Sequence, residues 1–228
     1  MNACHRLSYL STSLYSDASS AVPCTKPHTA FTFAVPTLPA SVIVKGVDIG
    51  NKTIQDAASA ACQSAFDRFV GGVPETRALS RITVTYFLPD QAGFNLGAHW
   101  VRCDLIAMRT QQSLADLPAN PRHFLDQARA LDQYGACSQG DPGSAKFRLV
   151  MCSEPHTYRA LAALRLGADG AKYPGETVTR VEGKRRCGHL VAAKLNLSGG
   201  YTYGWTYPTS ANWAEGQRFG YCWNKTTK

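Results

Sequence analysis

Apolar and polar positions mostly alternate in short runs along this chain, and in one place they recur at helical spacing. "HTAFTFAV" (28–35), "RITVTYFLP" (81–89), "HWVRCDLIA" (99–107), "GGYTYGWTYP" (199–208) and "RFGYCWN" (218–224) carry the β-branched and aromatic residues of strands. "TIQDAASAACQSAFDRFVGG" (53–72) is the best helix. Thr53 can cap it, Asp56 sits in its acidic first turn, and Gly71 and Gly72 end it. Its apolar side gathers Ala58, Cys62, Ala65, Phe66 and Phe69. "VEGKRRCGHLVAAKL" (181–195) predicts a second helix interrupted by glycine, and "HTYRALAALRL" (156–166) fits a strand or a helix equally. No run of about 18 apolar residues spans a membrane, "TAFTFAVPTLPASVIVKG" being broken by Thr, Pro and Lys45.

The pattern is written twice. "VPCTKPHT" (22–29) returns as "VMCSEPHT" (150–157), and "PDQAGFNLGAHWVRC", ending at Cys103, aligns without a gap on "PTSANWAEGQRFGYC", ending at Cys222. Pro89 meets Pro208, Phe94 meets Trp213, Gly97 meets Gly216, and upstream Tyr86 meets Trp205. The eight cysteines pair in order across the halves: Cys4 with Cys137, Cys24 with Cys152, Cys62 with Cys187, Cys103 with Cys222. The expectation is an α+β protein of two tandem copies of a small disulfide-stapled unit, each a mainly antiparallel sheet with one principal helix. The first copy takes residues 1–120 and the second 128–228. The linker region, 121–127, lies within the polar, helix-prone "SLADLPANPRHFLDQARALDQYG".

Dispersed cysteines with no CxxC favour disulfides over structural zinc, whose thiolates usually come in close pairs. Disulfides belong to an oxidising compartment, yet "MNACHRL" has neither the basic nor the apolar region of a signal peptide. The chain is therefore intracellular or carries its targeting segment outside these residues. Three pairings are open within each copy. The preferred one joins first to fourth and second to third, tying Cys62 and Cys187 on their helices to the Pro-His corners.

A leading cysteine, then V-x-C-x-x-P-H-[T/D], a helix with a cysteine, and P-x4-[W/F]-x2-G-x5-C resembles the septum-formation domain family of actinobacterial envelope proteins. The resemblance covers both halves, although Thr29 and Thr157 stand where an acidic residue is frequent. It implies an extracytoplasmic domain held by a lipid or transmembrane anchor before residue 1, and a role around cell division with no ligand or reaction attached. Cys4 reads as half of a disulfide and not as a lipidated cysteine, because its counterpart Cys137 is internal.

Cys24 with His28 and Cys152 with His156 are spaced C-x3-H. One reading makes each pair part of a metal or hydrolytic site. The other makes each a corner in which Pro27 or Pro155 fixes φ and the imidazole bonds the turn, leaving His28 and His156 at most ligand contacts. His5, His99, His123 and His189 do not recur, so further ligands are lacking, and no metal or cofactor is expected. No G-x-S-x-G, HExxH, Walker or G-x-G-x-x-G motif fixes a catalytic role, so the chain reads as a non-enzyme.

Charge separates the halves. Residues 1–120 hold nine Lys and Arg against eight Asp and Glu, and residues 121–228 hold 15 against eight, giving +1 and +7. "EGKRRCGHL" concentrates Lys184, Arg185 and Arg186. Such a face would attract anionic wall polymers, lipid headgroups, or acidic envelope and division proteins. Nucleic acid is set aside, since no recognition motif interleaves the charges.

Overall fold

The computed structural model describes residues 1–198 and 201–226, and its chain divides into two compact units. The first comprises Met1–Gly72 and Ile82–Gln127, and the second Val73–Arg81 and Ala128–Lys228. Of the predicted strand 199–208, Gly199 and Gly200, with the glycine pair of "SGGY", lie outside the described residues.

In the first unit, strands β1 (Cys4–His5), β2 (Ala30–Ala34), β3 (Ile82–Phe87) and β4 (Arg102–Ala107) form an antiparallel sheet in the order β1-β2-β4-β3. Helix α1 (Lys52–Val70) covers one face. Its cap is Asn51 and not Thr53: the Asn51 side chain accepts the Thr53 N–H at 2.9 Å. The β-branched threonine is itself the donor the cap satisfies. Gly71 ends the helix at φ 76°, a conformation open to glycine. Ile54, Ala58, Cys62, Phe66 and Phe69 form the buried stripe. Phe31 and Phe33, alternate residues of β2, stack their rings on Phe69 with centroids 5.6 and 5.3 Å apart.

The second unit has five strands: β5 (Ala136–Gln139), β6 (Arg148–Met151), β7 (Tyr158–Arg165), β8 (Tyr203–Thr206) and β9 (Phe219–Lys225), in the order β6-β5-β7-β9-β8, all antiparallel. The ambiguous 156–166 is thus a strand, its side chains packing on β9 and on both faces of a sheet. Helices α2 (Pro74–Ala78) and α4 (Ala130–Tyr134) belong here, as does α5 (Gly183–Leu195), entered through a wider π-turn at Thr177–Glu182. The glycines that interrupt α5 are close-packing positions. A Cβ on Gly183 would lie 2.5 Å from the Trp205 ring, and one on Gly188 2.8 Å from the Tyr203 hydroxyl.

Each P-x4-[W/F]-x2-G segment folds as a short helix: α3 (Gln91–Asn95) in the first unit and α6 (Ser210–Ala214) in the second. Asp90 caps α3 by accepting the Gly93 N–H, and Thr209 caps α6 by accepting that of Asn212. The aromatic residue is buried, Phe94 at 3% and Trp213 at 4% exposure. The glycine then turns the chain back at positive φ, 100° for Gly97 and 92° for Gly216.

All eight cysteines are oxidised: Cys4–Cys24, Cys62–Cys103, Cys137–Cys152 and Cys187–Cys222. This corrects the expected pairing of first with fourth and second with third. Cys4 in β1 and Cys103 in β4 flank β2, and Cys137 in β5 and Cys222 in β9 flank β7. Two strand spacings are about 9.5 Å, beyond the reach of a disulfide. Each helix cysteine instead bonds the inner strand beneath it.

The second faces of the two sheets are covered differently. In the first unit the loop closed by Cys4–Cys24 folds over it. Leu88 N–H donates to the Tyr15 carbonyl at 2.7 Å, and Leu7 packs with Ala30, Phe87 and Ile106. In the second unit that place is taken by Val73–Arg81, with Leu79 buried among Ala136, Tyr158, Ala160 and Trp223. Its backbone is stitched in by Ala136 N–H to the Leu79 carbonyl and Arg81 N–H to that of Tyr134, each 2.7 Å. Residues 121–127 pack against the first unit, with Phe124 and Leu125 buried.

Leu79→Ala is therefore expected to destabilise the second unit by about 2–3 kcal/mol, the lower part of the range for a buried Leu→Ala change. Urea unfolding followed by tryptophan fluorescence measures this, since Trp205, Trp213 and Trp223 belong to that unit and only Trp100 to the other. An unchanged midpoint would contradict the assignment of the segment.

Candidate functional site

The two Pro-His corners come first, because both histidines are buried. His28 is 1% exposed and its Nδ1 lies 2.9 Å from the Lys26 carbonyl; His156 is 7% exposed with Nδ1 2.7 Å from that of Glu154. With Nδ1–H donating two residues back across the proline, each ring locks its own turn. The adjoining threonines finish the corner, Thr29 Oγ1 donating to the Leu7 carbonyl and Thr157 Oγ1 to that of Ser138. Cys24 and Cys152 are held in disulfides, so neither corner offers a thiolate for a metal or for nucleophilic attack. Among the described residues no group of three His, Cys, Asp or Glu side chains could hold a metal ion. The two histidines stand in different units, each at its own corner.

A buried polar network lies on the loop-covered face of the first sheet. Arg102 bridges Asp104 at 3.0 Å and Asp17 at 2.6 Å, while Thr32 Oγ1 donates to Asp104 at 2.6 Å. Ser19 donates to Asp17 at 2.6 Å and stands 3.5 Å from His5 Nδ1, and the Arg102 guanidinium lies over the Phe87 ring. Desolvation pushes Asp104 above the ordinary carboxylate range, with Arg102 and Thr32 pulling against it. Burial, then Arg102, holds His5 below the usual imidazole value. Asp17 titrates low: partial burial opposes this, but hydrogen bonds from Ser19 and Arg102 outweigh it. None of this was visible as a motif, because Asp17, Ser19, Arg102 and His5 are brought together only by the Cys4–Cys24 loop.

The basic stretch of the second unit lies along a surface groove. Lys184, Arg185 and Arg186 are all exposed at the start of α5. Lys184 and Arg185 line a groove of about 750 Å³ together with Arg180, Tyr203, Trp205 and Tyr207. Arg186 does not line it. Arg180 is paired with Glu176 at 3.1 Å, whereas no carboxylate among the described residues pairs with Lys184, Arg185 or Arg186. The lining is tied together: the Tyr203 hydroxyl donates to the Lys184 carbonyl at 3.0 Å, and Trp205 Nε1–H donates to that of Thr179 at 3.0 Å. Sequence reasoning found the cations but not the aromatics that share their groove, whose only signal was the cluster "YTYGWTY" on a strand.

Two outcomes follow. Removing the imidazole in His28→Ala leaves a cavity and a freed carbonyl at Lys26, so it should cost about 2 kcal/mol or more, with added zinc leaving the melting temperature of either protein unchanged. A zinc-dependent rise in the unsubstituted protein would restore the metal reading. For the network, the unfolded chain protonates His5 below about pH 6.5 while the folded one resists. Stability of the first unit should therefore fall as pH drops from 7 towards 5, and His5→Gln should flatten the slope. Asp17 adds a loss of the same sign at lower pH, through its depressed pKa, and Asp104 acts with the opposite sign above its usual value. Hydrogen-exchange protection of β2 and β4 amides across pH 5–7 measures the effect; an unaltered slope in the variant would refute it.

Comparison with known proteins returns one family, described as septum formation, which matches residues 3–222. No curated protein and no solved structure matches. The match runs through both units, all four disulfides and both corners, and the chain belongs to the septum-formation family.

Proposed function

We propose that this chain is a non-enzymatic binding or scaffolding module on the outer side of an actinobacterial cell envelope, acting in septum formation through the basic surface of its second unit. Four disulfides suit an oxidising, extracytoplasmic setting. No described helix is long and apolar enough to cross a membrane, and on this reading an anchor outside these residues holds the protein to it.

The two units are tandem copies of one ancestral unit. Supporting this, each joins a helix cysteine to an inner strand, each has the buried corner histidine, and each carries a register shift at the matching place, between Thr32 and Ala34 and between Ala160 and Ala162. The copies then diverged in charge.

The observation that carries the binding reading is the exposed, carboxylate-free run Lys184–Arg185–Arg186 in a half with net charge +7. Cations left unneutralised in this way recruit polyanions by Coulomb attraction that salt screens. The protein should co-sediment with anionic lipid vesicles and with phosphate-rich wall polymers but not with neutral vesicles. Binding should fall at least about tenfold in 0.5 M salt, where the Debye length is about 4 Å. Replacing the three residues by Gln should produce a comparable loss at low salt. Equal binding to neutral vesicles, or a triple variant that binds normally, would reject the reading.

A further inference from the structure

We infer that the groove between the start of α5 and β8 is a specific site for a phosphorylated sugar: phosphate held by Lys184 and Arg185, and the sugar ring laid against Tyr203 and Tyr207. The inference rests on the reading of the second unit as an envelope anion binder and names the ligand of its groove.

The volume comes first. About 750 Å³ holds one or two sugar rings and falls within the usual size of small-ligand sites. Charge then selects an anion. Arg180 and Lys184 are one helical turn apart along the same wall, with Arg185 beside them, and no acidic side chain lines the groove. Arg180 is engaged through Nε by Glu176 at 3.1 Å, whereas no carboxylate among the described residues pairs with Lys184 or Arg185, whose donors are all on offer. An ammonium beside a guanidinium suits a tetrahedral phosphate, whose oxygens take the guanidinium fork and the rotatable ammonium together.

The aromatic part of the lining selects a ring with an apolar face. Tyr207 stacks on Trp205 with centroids 6.4 Å apart and planes 23° from parallel, and Tyr203 is half-buried. The Tyr203 hydroxyl and the Trp205 N–H are already committed to backbone carbonyls, and Trp205 is buried as the support on which Tyr207 stacks, so the half-buried rings of Tyr203 and Tyr207 are the aromatic surface left to a ligand. A π-face is negative and apolar, and complements the C–H face of a pyranose. A free inorganic anion would leave these rings unused, and a neutral sugar would leave the cations unpaired.

The aromatic lining is also pre-formed. Gly183 and Gly188 let α5 sit on Trp205 and Tyr203 without a Cβ between them, and a Cβ on Gly204 would reach Pro142 at 2.5 Å. Little ordering then remains for the ligand to impose.

Titration of the intact protein with a hexose 6-phosphate, the parent hexose and inorganic phosphate, read by isothermal calorimetry, tests the assignment. The hexose phosphate should bind at least about tenfold more tightly than either half, the value of one charge-assisted contact added to the stacking surface. Arg185→Gln should lose that factor of ten for hexose phosphate and inorganic phosphate alike. Tyr207→Ala should lose it for hexose phosphate alone, and normal far-ultraviolet circular dichroism establishes that either variant is folded. Hexose phosphate binding no better than inorganic phosphate, adenosine monophosphate binding equally well, or indifference to Tyr207→Ala would each overturn the site. Anionic vesicles still bound in that case leave the broader envelope reading standing, whereas loss of both ends both. Vesicles with a phosphorylated-sugar headgroup and a soluble phosphorylated polysaccharide, compared side by side, tell a membrane source from a wall polymer; binding to neither overturns the proposal.

Discussion

The bond from the helix to an inner strand, Cys62–Cys103 in the first unit and Cys187–Cys222 in the second, is the constraint on which the remaining structure depends. A sheet of four or five short strands with one helix buries too little surface to hold that helix by packing alone. The covalent bond closes loops of 41 and 35 residues, worth about 3–4 kcal/mol in the chain-entropy account. It does so at the centre of the interface, where both sulfurs of each pair are fully buried. With the helix fixed, the residues around it have freedom to serve other ends. In the first unit the stripe on α1 grows aromatic, and in the second α5 tolerates glycines that helix propensity alone disfavours.

One helix covers one face, so each sheet still needs a second cover, and the two covers explain the largest chemical difference between the units. The first unit uses its own N-terminal loop. A loop brings polar backbone and short polar side chains, and the strands beneath answer with Arg102, Asp104 and Thr32. The second unit uses Val73–Arg81, whose Leu79 is apolar, and the equivalent strand positions are Tyr221, Trp223 and Ala160. Thr32 pairs with Asp104 in the one register, and Ala160 with Trp223 in the other. A buried carboxylate without its partners would be costly. The polar set is therefore kept whole where the loop supplies Asp17, and absent where it does not.

Legibility from sequence follows the same division. Local features could be read directly: the α1 stripe from its spacing, the Gly71 stop, the strands from their alternation, and the corners from Pro and His two apart from the carbonyl they bond. The short helices α3 and α6 were missed although Asp90 and Thr209 are good caps, because five residues give no period to detect. Strand order was not legible, and with it went the disulfide pairing: nothing local says that β2 lies between Cys4 and Cys103. The transfer of residues 73–81 to the second unit left no trace in composition. At the groove, the cations stood out as a run, but their relation to Tyr203 and Tyr207 depends on α5 lying across β8.

That crossing also bears on why the cations are where they are. A run of three basic residues at the start of a helix opposes the helix dipole, which favours acidic residues there. Glu176 and Glu182 precede α5, yet among the described residues Glu176 alone of the two forms an ion pair, with Arg180. The π-turn continues helical backbone upstream of Lys184, so the run sits inside a longer helical segment and the cost is moved away from it. Stability does not call for this arrangement, since the packing of α5 is carried by Cys187, Val191 and the glycines that meet Trp205 and Tyr203. Lys184 and Arg185 are thus exposed charges that the packing of α5 does not need and that no carboxylate among the described residues neutralises, which on the proposed reading leaves them, in one groove with Tyr203 and Tyr207, free to meet an external anion.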